Sequence, residues 1–162
     1  MGSRYPKRGL IAGAVLALYG GGAAASGLCS PDHVDVRGSG GVARFSVEVA
    51  DSGAERAQGL MFRKEMASMA GMLFVYDSPG PVAFWMKNTL IPLDMVFADS
   101  SGTVTRIHEN AKPGNLVPID GGKDVQFVLE VNAGMTRKLG LTEGAVLRHT
   151  AIGQGSAAWP CK

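Results

Sequence analysis

The sequence is poor in cysteine, with two in 162 residues, and poor in aromatic side chains, which make up 7% of it. Neither Cys29 nor Cys161 belongs to a C-x-x-C pair, which argues against thiol-redox catalysis and a structural zinc site. The H-E-x-x-H, G-x-S-x-G, P-loop and dinucleotide-binding motifs are also missing. Acyl transfer and nucleotide chemistry therefore have no support, and we predict no metal site and no cofactor.

Charge is scarce as well, at 19% of residues, and part of it belongs to a leader. Three cations in the first eight residues precede an apolar run at 10–18 and small residues at 23–25. This pattern predicts a signal peptide at 1–25, cleaved after Ala25. Its removal takes three positive charges and no acid, so the formal charge changes from +2 to −1. No basic patch of the kind that binds a phosphate backbone remains, and we do not expect nucleic acid as a partner.

A retained membrane anchor is the alternative for this leader. The apolar run is interrupted by glycines at 20–22 and is shorter than the roughly 20 residues of a membrane span. We therefore expect a periplasmic or secreted protein with no stable membrane span after processing. In an oxidising compartment, cysteines at the two ends of the exported chain predict a Cys29–Cys161 disulfide. Lipid attachment at Cys29 is less favoured, because Leu28 before it is larger than the small residue of a lipoprotein signal.

The length allows one domain with a substantial core. The 23 glycines and 8 prolines lie scattered among short apolar runs, as in proteins built from many strands and tight turns. We predict a mainly β fold, a single compact antiparallel β-sandwich or open barrel with one or two short helices. A capping-box pattern predicts the first helix at 53–58. The predicted boundaries are a flexible N-terminal segment at 26–42, the β-rich domain at 43–150 and a C-terminal tail at 151–162.

The most distinctive stretch contains two apolar runs, at 82–87 and 93–98, separated by a polar corner. Two antiparallel strands joined in a hairpin are the natural interpretation. A register with Lys87 opposite Asp94 separates the apolar side chains from a face that also holds Trp85. An aromatic ring beside opposite charges predicts a binding surface at the end of this hairpin.

Four blocks in this sequence resemble a known family. They read RAQGLMFR at 56–63, GMLF at 71–74, FWMKNT at 84–89 and IPLD at 91–94. Together they are similar to the domain of unknown function 192 family over about 45–149. The resemblance implies a compact β-rich fold of jelly-roll type, often exported in bacteria and without an established activity. Gln58 stands where relatives tend to have a basic residue.

Three functions are consistent with these observations. The first is a non-catalytic binding module of the cell envelope for a small polar or sugar-like ligand or a partner's chain. The second is a carrier of reduced copper, since six of the eight methionines fall between positions 61 and 95, although methionine is also an ordinary core residue. The third is a hydrolase of envelope polymers with Asp94 and either Glu109 or Glu130 as its acid–base pair. The predicted ligand-binding residues are Arg56, Arg63, Trp85, Lys87, Asn88 and Asp94.

Glu130 itself alternates with apolar neighbours in a predicted strand, whose apolar side chains lie on the opposite face. From this pattern we expect a solvated or paired charge rather than a catalytic acid.

Overall fold

The structure of the protein is a computed structural model that describes residues 28–162, so the predicted signal peptide at 1–25 lies outside the described residues. The described chain is mainly β with two short helices, which confirms the predicted fold class. Its elements are β1 (His33–Gly38), β2 (Gly41–Ala50), α1 (Gly53–Gln58), β3 (Ala70–Phe84), β4 (Leu93–Ala98), β5 (Val104–Ala111), β6 (Ile119–Asn132), α2 (Met135–Lys138) and β7 (Val146–Arg148). Within residues 28–162, no helix is long and apolar enough to cross a membrane.

All seven of these strands form one curled sheet, a half-barrel, in the order β5-β4-β6-β3-β2-β1-β7. Neighbouring strands are antiparallel except β2 and β3, which run parallel across the connection that contains α1. The sheet curls until its two edges meet at one end. There Thr103 forms a bridge with Val146, and the Val104 amide donates to the Ala145 carbonyl at 2.8 Å.

Apolar side chains cover both faces of the central strands. On β4, Val96 and Ala98 pack into a first core, while Met95 and Phe97 pack into a second core on the other face. All six residues of β4 are therefore buried. The larger members of the first core are Val34, Phe45, Leu73, Phe127, Leu129 and Leu147. Those of the second core are Leu60, Met72, Phe74, Met86, Leu93, Met95 and Phe97.

The predicted hairpin between 82–87 and 93–98 is wrong. β3 does extend to Phe84, but it pairs with β6, and β4 lies on the other side of β6. β4 is buried throughout and the first run contains the buried Val82 and Met86, so each run needs neighbours that a two-stranded hairpin cannot supply, and the 14-residue β6 pairs with both strands. The apolar pattern identified the strands but not the strands with which they pair.

The two ends of the described chain are fastened together. Cys29 and Cys161 form the predicted disulfide, with their Cα atoms 5.6 Å apart. β1 pairs with both β2 and β7, and its residues fall within the N-terminal segment at 26–42. In the tail, the ring of Trp159 lies under the guanidinium groups of Arg37 and Arg148, 4.6 and 4.2 Å from the ring centroid.

Candidate functional site

An acidic side chain is buried in the middle of the sheet. Glu130 lies on β6, and its direct cross-strand neighbours are Met72 on β3 and Met95 on β4. Directly opposed residues share a face, so Glu130 lies on the face of the second core, to which both methionines belong. It is 4% exposed.

The carboxyl of Glu130 has no hydrogen-bond or ion-pair partner among residues 28–162, and burial raises its pKa to about 8. The expectation that Glu130 is a solvated or paired charge is wrong. Alternation along β6 predicted one apolar face. In the structure β6 lies between β4 and β3, and apolar side chains cover both faces of the sheet, so Glu130 is enclosed too. A buried carboxyl without a partner needs an explanation beyond stability, because it costs free energy in the folded state.

A narrow cavity of about 40 Å³ leads to Glu130, and we call it the Glu130 cleft. One wall is the end of α1 with the turn after it, and the other is the end of β3 with the following loop. This volume admits a small polar group or a few waters, but not a whole sugar ring. The lining residues are Arg56, Ala57, Gln58, Gly59, Leu60, Met61, Phe74, Phe84, Trp85, Thr89 and Glu130.

Local sequence explains the first wall. Ser52 and Glu55 form the predicted capping box, and α1 spans the residues predicted for it. The helix ends at Gly59, whose φ of +48° suits glycine and where a Cβ atom would lie 3.2 Å from the Phe74 ring. Arg56 donates to the Val75 carbonyl at 2.8 Å, so its guanidinium is held in place along the wall.

Two bonded loops form the mouth of the cleft. The Phe62 amide donates to the Asn88 carbonyl at 2.8 Å, and both residues have positive φ angles, +62° and +54°. Trp85 is 48% exposed at this mouth, with the Lys87 ammonium 5.0 Å from its ring centroid. Behind it, the Phe84 ring meets the Phe74 ring edge to face at 4.9 Å. The mouth thus presents an exposed aromatic ring above an apolar wall.

Four of the six predicted binding residues lie at or beside this cleft. Arg56 and Trp85 line it, and Lys87 and Asn88 belong to the loop at its mouth. Arg63 lies on a neighbouring groove of about 610 Å³, where it forms a bidentate pair with Glu48 at 2.7 and 2.8 Å.

Asp94 lies elsewhere. It is fully buried and accepts hydrogen bonds from the Asn110 amide at 2.8 Å and from the amide and hydroxyl of Thr136 at 3.0 and 2.7 Å. The predicted placement of Asp94 opposite Lys87 is wrong, because the hairpin that required it does not form and Lys87 is exposed. Asp94 instead holds the start of α2 and the end of β5 in place.

Three of the six methionines of the copper hypothesis are enclosed, whereas Met61 and Met66 are partly buried and Met69 is 37% exposed. Met86 and Met95 are fully buried and Met72 is 7% exposed, all within the second core. Their packing among Phe74, Leu93 and other apolar side chains is the ordinary role of methionine in a core.

The described residues form a small half-barrel β domain in which a buried acid, without a partner among residues 28–162, lies under a loop-lined cleft. The chain belongs to the DUF192 family, described as "Uncharacterized ACR", whose model matches residues 32–149. No curated protein matches it.

Two solved structures share the fold. One is a protein of unknown function from Novosphingobium aromaticivorans DSM 12444, with 38% identity over 71% of this chain and 82% of that one, and a TM-score of 0.70. The other, from Sinorhizobium meliloti 1021, is named as a candidate transcription regulator. It is 41% identical over 76% of this chain and 97% of its own, with a TM-score of 0.72.

Proposed function

We propose that this protein is a non-catalytic binding module of the cell envelope that holds a polar, sugar-like ligand at the Glu130 cleft. The ligand inserts one hydroxyl- or amine-bearing group into the cleft and stacks an apolar face on Trp85. The observation that supports this most directly is the carboxyl of Glu130, which has no partner among residues 28–162 and lines a cavity large enough for one polar group.

The chemistry of Glu130 suits such a group. With a pKa raised to about 8, the carboxyl is protonated at neutral pH and offers both a donor and an acceptor. A ligand hydroxyl needs this combination. Because an unpaired buried polar group costs about 1–3 kcal/mol, a ligand group that satisfies it gains affinity.

Trp85 supplies the second contact. Half of its surface is exposed although tryptophan usually packs more fully, and the Lys87 ammonium lies near its ring. A tryptophan ring offers a ligand a large, rigid contact area, and little side-chain entropy is lost on binding. An envelope location is consistent with the disulfide, which suits an oxidising compartment.

Hydrolysis is less well supported than binding. A glycoside hydrolase needs two carboxyl groups roughly 5–9.5 Å apart across the bond. Glu130 is the one acid among the described residues that line the cleft. Of the other acids in the hypothesis, Asp94 accepts a hydrogen bond from the Thr136 hydroxyl, and Glu109 forms an ion pair with Arg137 at 2.6 Å.

The test is a thermal-shift screen of the full chain, disulfide intact, against sugars, peptidoglycan fragments, amino acids and reduced copper, followed by calorimetric titration of any hit. A ligand specific for the folded state raises the melting temperature. We expect a hit among sugars or peptidoglycan fragments, and we expect Trp85→Leu and Glu130→Leu each to weaken it at least tenfold. Glu143→Gln, an exposed acid outside the cleft, is the control and should change affinity less than twofold.

Glu130→Gln distinguishes the two ligand groups. An amide can still donate to and accept from a hydroxyl, so a hydroxyl ligand should lose less affinity than with leucine. An amine ligand should lose more affinity with glutamine than a hydroxyl ligand does, because the amide oxygen still accepts a hydrogen bond but the charge-assisted bond to a carboxylate is lost. Binding that survives both Glu130→Leu and Trp85→Leu would contradict the proposal, and release of cleaved product that depends on Glu130 would replace it with hydrolysis.

A further inference from the structure

Three loops of the molecule meet and expose large apolar side chains. The loops are 59–64, 85–92 and 112–118, and we call them together the loop surface. The first two are joined by the Phe62–Asn88 backbone bond at 2.8 Å. The last two are joined by Met86, whose amide donates to the Asn115 carbonyl at 2.9 Å and whose carbonyl accepts from the Gly114 amide at 3.0 Å. The exposed apolar side chains are Phe62 (66%), Trp85 (48%), Leu90 (51%), Leu116 (61%) and Val117 (66%).

The charges on the loop surface have one sign. Residues 59–64, 85–92 and 112–118 contain no aspartate and no glutamate, and the exposed Glu65 follows directly after Lys64. Arg63 is paired with Glu48 on β2. Lys64, Lys87 and Lys112 are exposed, and none of them forms a salt bridge with any residue between 28 and 162.

We propose that the loop surface docks on an anionic phospholipid bilayer. Aromatic and aliphatic side chains on loop tips enter the region between headgroups and acyl chains, where the amphipathic tryptophan ring is favoured. Lysines beside them remain at the headgroups, and each one near an anionic surface strengthens binding by about fivefold. The combination of exposed apolar side chains with exposed lysines, and no acid within the three segments, fits this surface in both its chemistry and its charge.

The backbone keeps these side chains in water rather than folding them inward. Phe62 has a φ of +62°, which is strained for a bulky residue, and its bond to Asn88 maintains that conformation with two-thirds of its surface exposed. A protein partner is the less favoured occupant, because protein interfaces usually combine both charge signs around an apolar centre, whereas the exposed charges within the three segments are lysines and the nearest acid in sequence, Glu65, lies just outside them. The loop surface shares Trp85 and Lys87 with the mouth of the Glu130 cleft, so the variants that test it are at residues outside the lining of the cleft.

The test is sedimentation of the full chain with vesicles of phosphatidylcholine alone and of phosphatidylcholine with one quarter phosphatidylglycerol, at low and at physiological salt. Variants are compared within one chain length, so any contribution of the N-terminal segment cancels. Phe62→Ser with Leu116→Ser removes apolar contacts, and Lys64→Glu with Lys112→Glu reverses charge. Matched controls of equal chemistry outside the loops are Val42→Ser, 51% exposed, and Lys138→Glu on α2.

We expect binding to anionic vesicles that falls at least tenfold in each double variant and less than twofold in the controls. The wild type should bind neutral vesicles at least tenfold more weakly, and salt should weaken binding to the anionic ones. Melting temperatures within a few degrees of the wild type show that the variants are folded. Equal binding to both vesicle types, or loop variants that bind as well as the wild type, would overturn the proposal. A photocrosslinker at Leu90 that labels a protein in cells, without vesicle binding in vitro, would replace the bilayer with a protein partner.

Discussion

Two buried acids on the same sheet have opposite surroundings and opposite pKa shifts. Asp35 on β1 is 3% exposed and accepts hydrogen bonds from Arg44 at 2.7 Å and Arg148 at 2.6 Å. Burial alone would raise its pKa, but the bonds and charges of the two arginines outweigh this and hold the pKa below its usual range. Glu130 is 4% exposed, has no such partner among the described residues, and its pKa is raised to about 8.

We call the region around Asp35 the fastened region, because a disulfide and ion pairs hold it together, and the region around Glu130 the open region, because a cavity reaches it. The tail region around Asp35 contains the disulfide, the two arginines and the stacked Trp159. The region around Glu130 contains a cavity, bulky residues at positive φ and exposed apolar side chains. Buried polar groups whose hydrogen bonds are all satisfied help to specify the structure. A buried polar group without a partner beside a cavity is expected where a ligand completes the site.

The largest expected effect tests whether the tail region depends on its acid. Asp35→Asn removes the negative charge that forms a salt bridge with Arg148, whose side chain is 3% exposed. Breaking a buried pair from one side costs about 3–5 kcal/mol, and we expect that loss in the free energy of unfolding by urea. Arg44→Lys is the control, because that side chain is 41% exposed, and it should cost less than about 1 kcal/mol. A loss under about 1 kcal/mol for Asp35→Asn would remove the basis for calling this region fastened.

The second test addresses the disulfide. Replacing Cys29 and Cys161 together by serine should lower the free energy of unfolding by about 2–4 kcal/mol, because the bond closes a loop with a sequence separation of 132. A reducing agent should destabilise the wild type by the same amount and leave the double variant unchanged. Affinity at the Glu130 cleft should stay within twofold. Two free thiols in protein recovered from an oxidising compartment would contradict the assignment.

Comparison with the sequence shows which of these features were predictable. The disulfide was predictable because two cysteines at the chain ends have one way to pair, and α1 because its capping box is a local signal. The partners of β3 and β4 were not, because β6 reaches them from more than twenty residues downstream. Apolar alternation encodes faces and not neighbours.

The site was half predictable for the same reason. Trp85 and Arg56 stand in blocks that resemble the family, and both line the cleft. Asp94 stands in such a block too, but its task is to bond the backbone amides of Asn110 and Thr136. Glu130 looked like a solvent-facing residue, because a period of two cannot show that a second layer covers the polar face. The one available signal was an acid within an otherwise apolar run, FVLEV at 127–131.

A pH titration of stability would sharpen the comparison of the two acids. The pKa of Glu130 is about 8 in the folded state and ordinarily 4.5, so the folded state binds the proton more tightly. Its contribution is fully present below pH 4.5 and is lost as the pH rises toward 8, with a slope of about 1.4 kcal/mol per pH unit. Glu130→Gln should remove this slope, so that the variant gains about 2–3 kcal/mol over the wild type between pH 5 and pH 7, measured by urea unfolding.

The difference between variant and wild type also cancels other titrations. Burial lowers the pKa of His149, so this residue makes stability fall as the pH drops below its usual 6.5, opposite to Glu130. Both proteins contain His149, and the subtraction removes it. Parallel stability curves for Glu130→Gln and the wild type would mean that Glu130 is solvated, and the candidate site would lose its main support.

The smallest expected effect compares the two tryptophans, one in each region. Trp85→Leu should change the free energy of unfolding by less than about 1 kcal/mol, because the ring is half exposed and its one cation contact, to Lys87, is on the surface. Trp159→Leu should cost roughly 1–2 kcal/mol, since two guanidinium groups stack on that ring and one of them is buried. Ligand affinity should show the reverse order, with a tenfold loss for Trp85→Leu and less than twofold for Trp159→Leu. If Trp85→Leu were the more destabilising change, its ring would be part of the core, and the division between a fastened region and a binding region would fail.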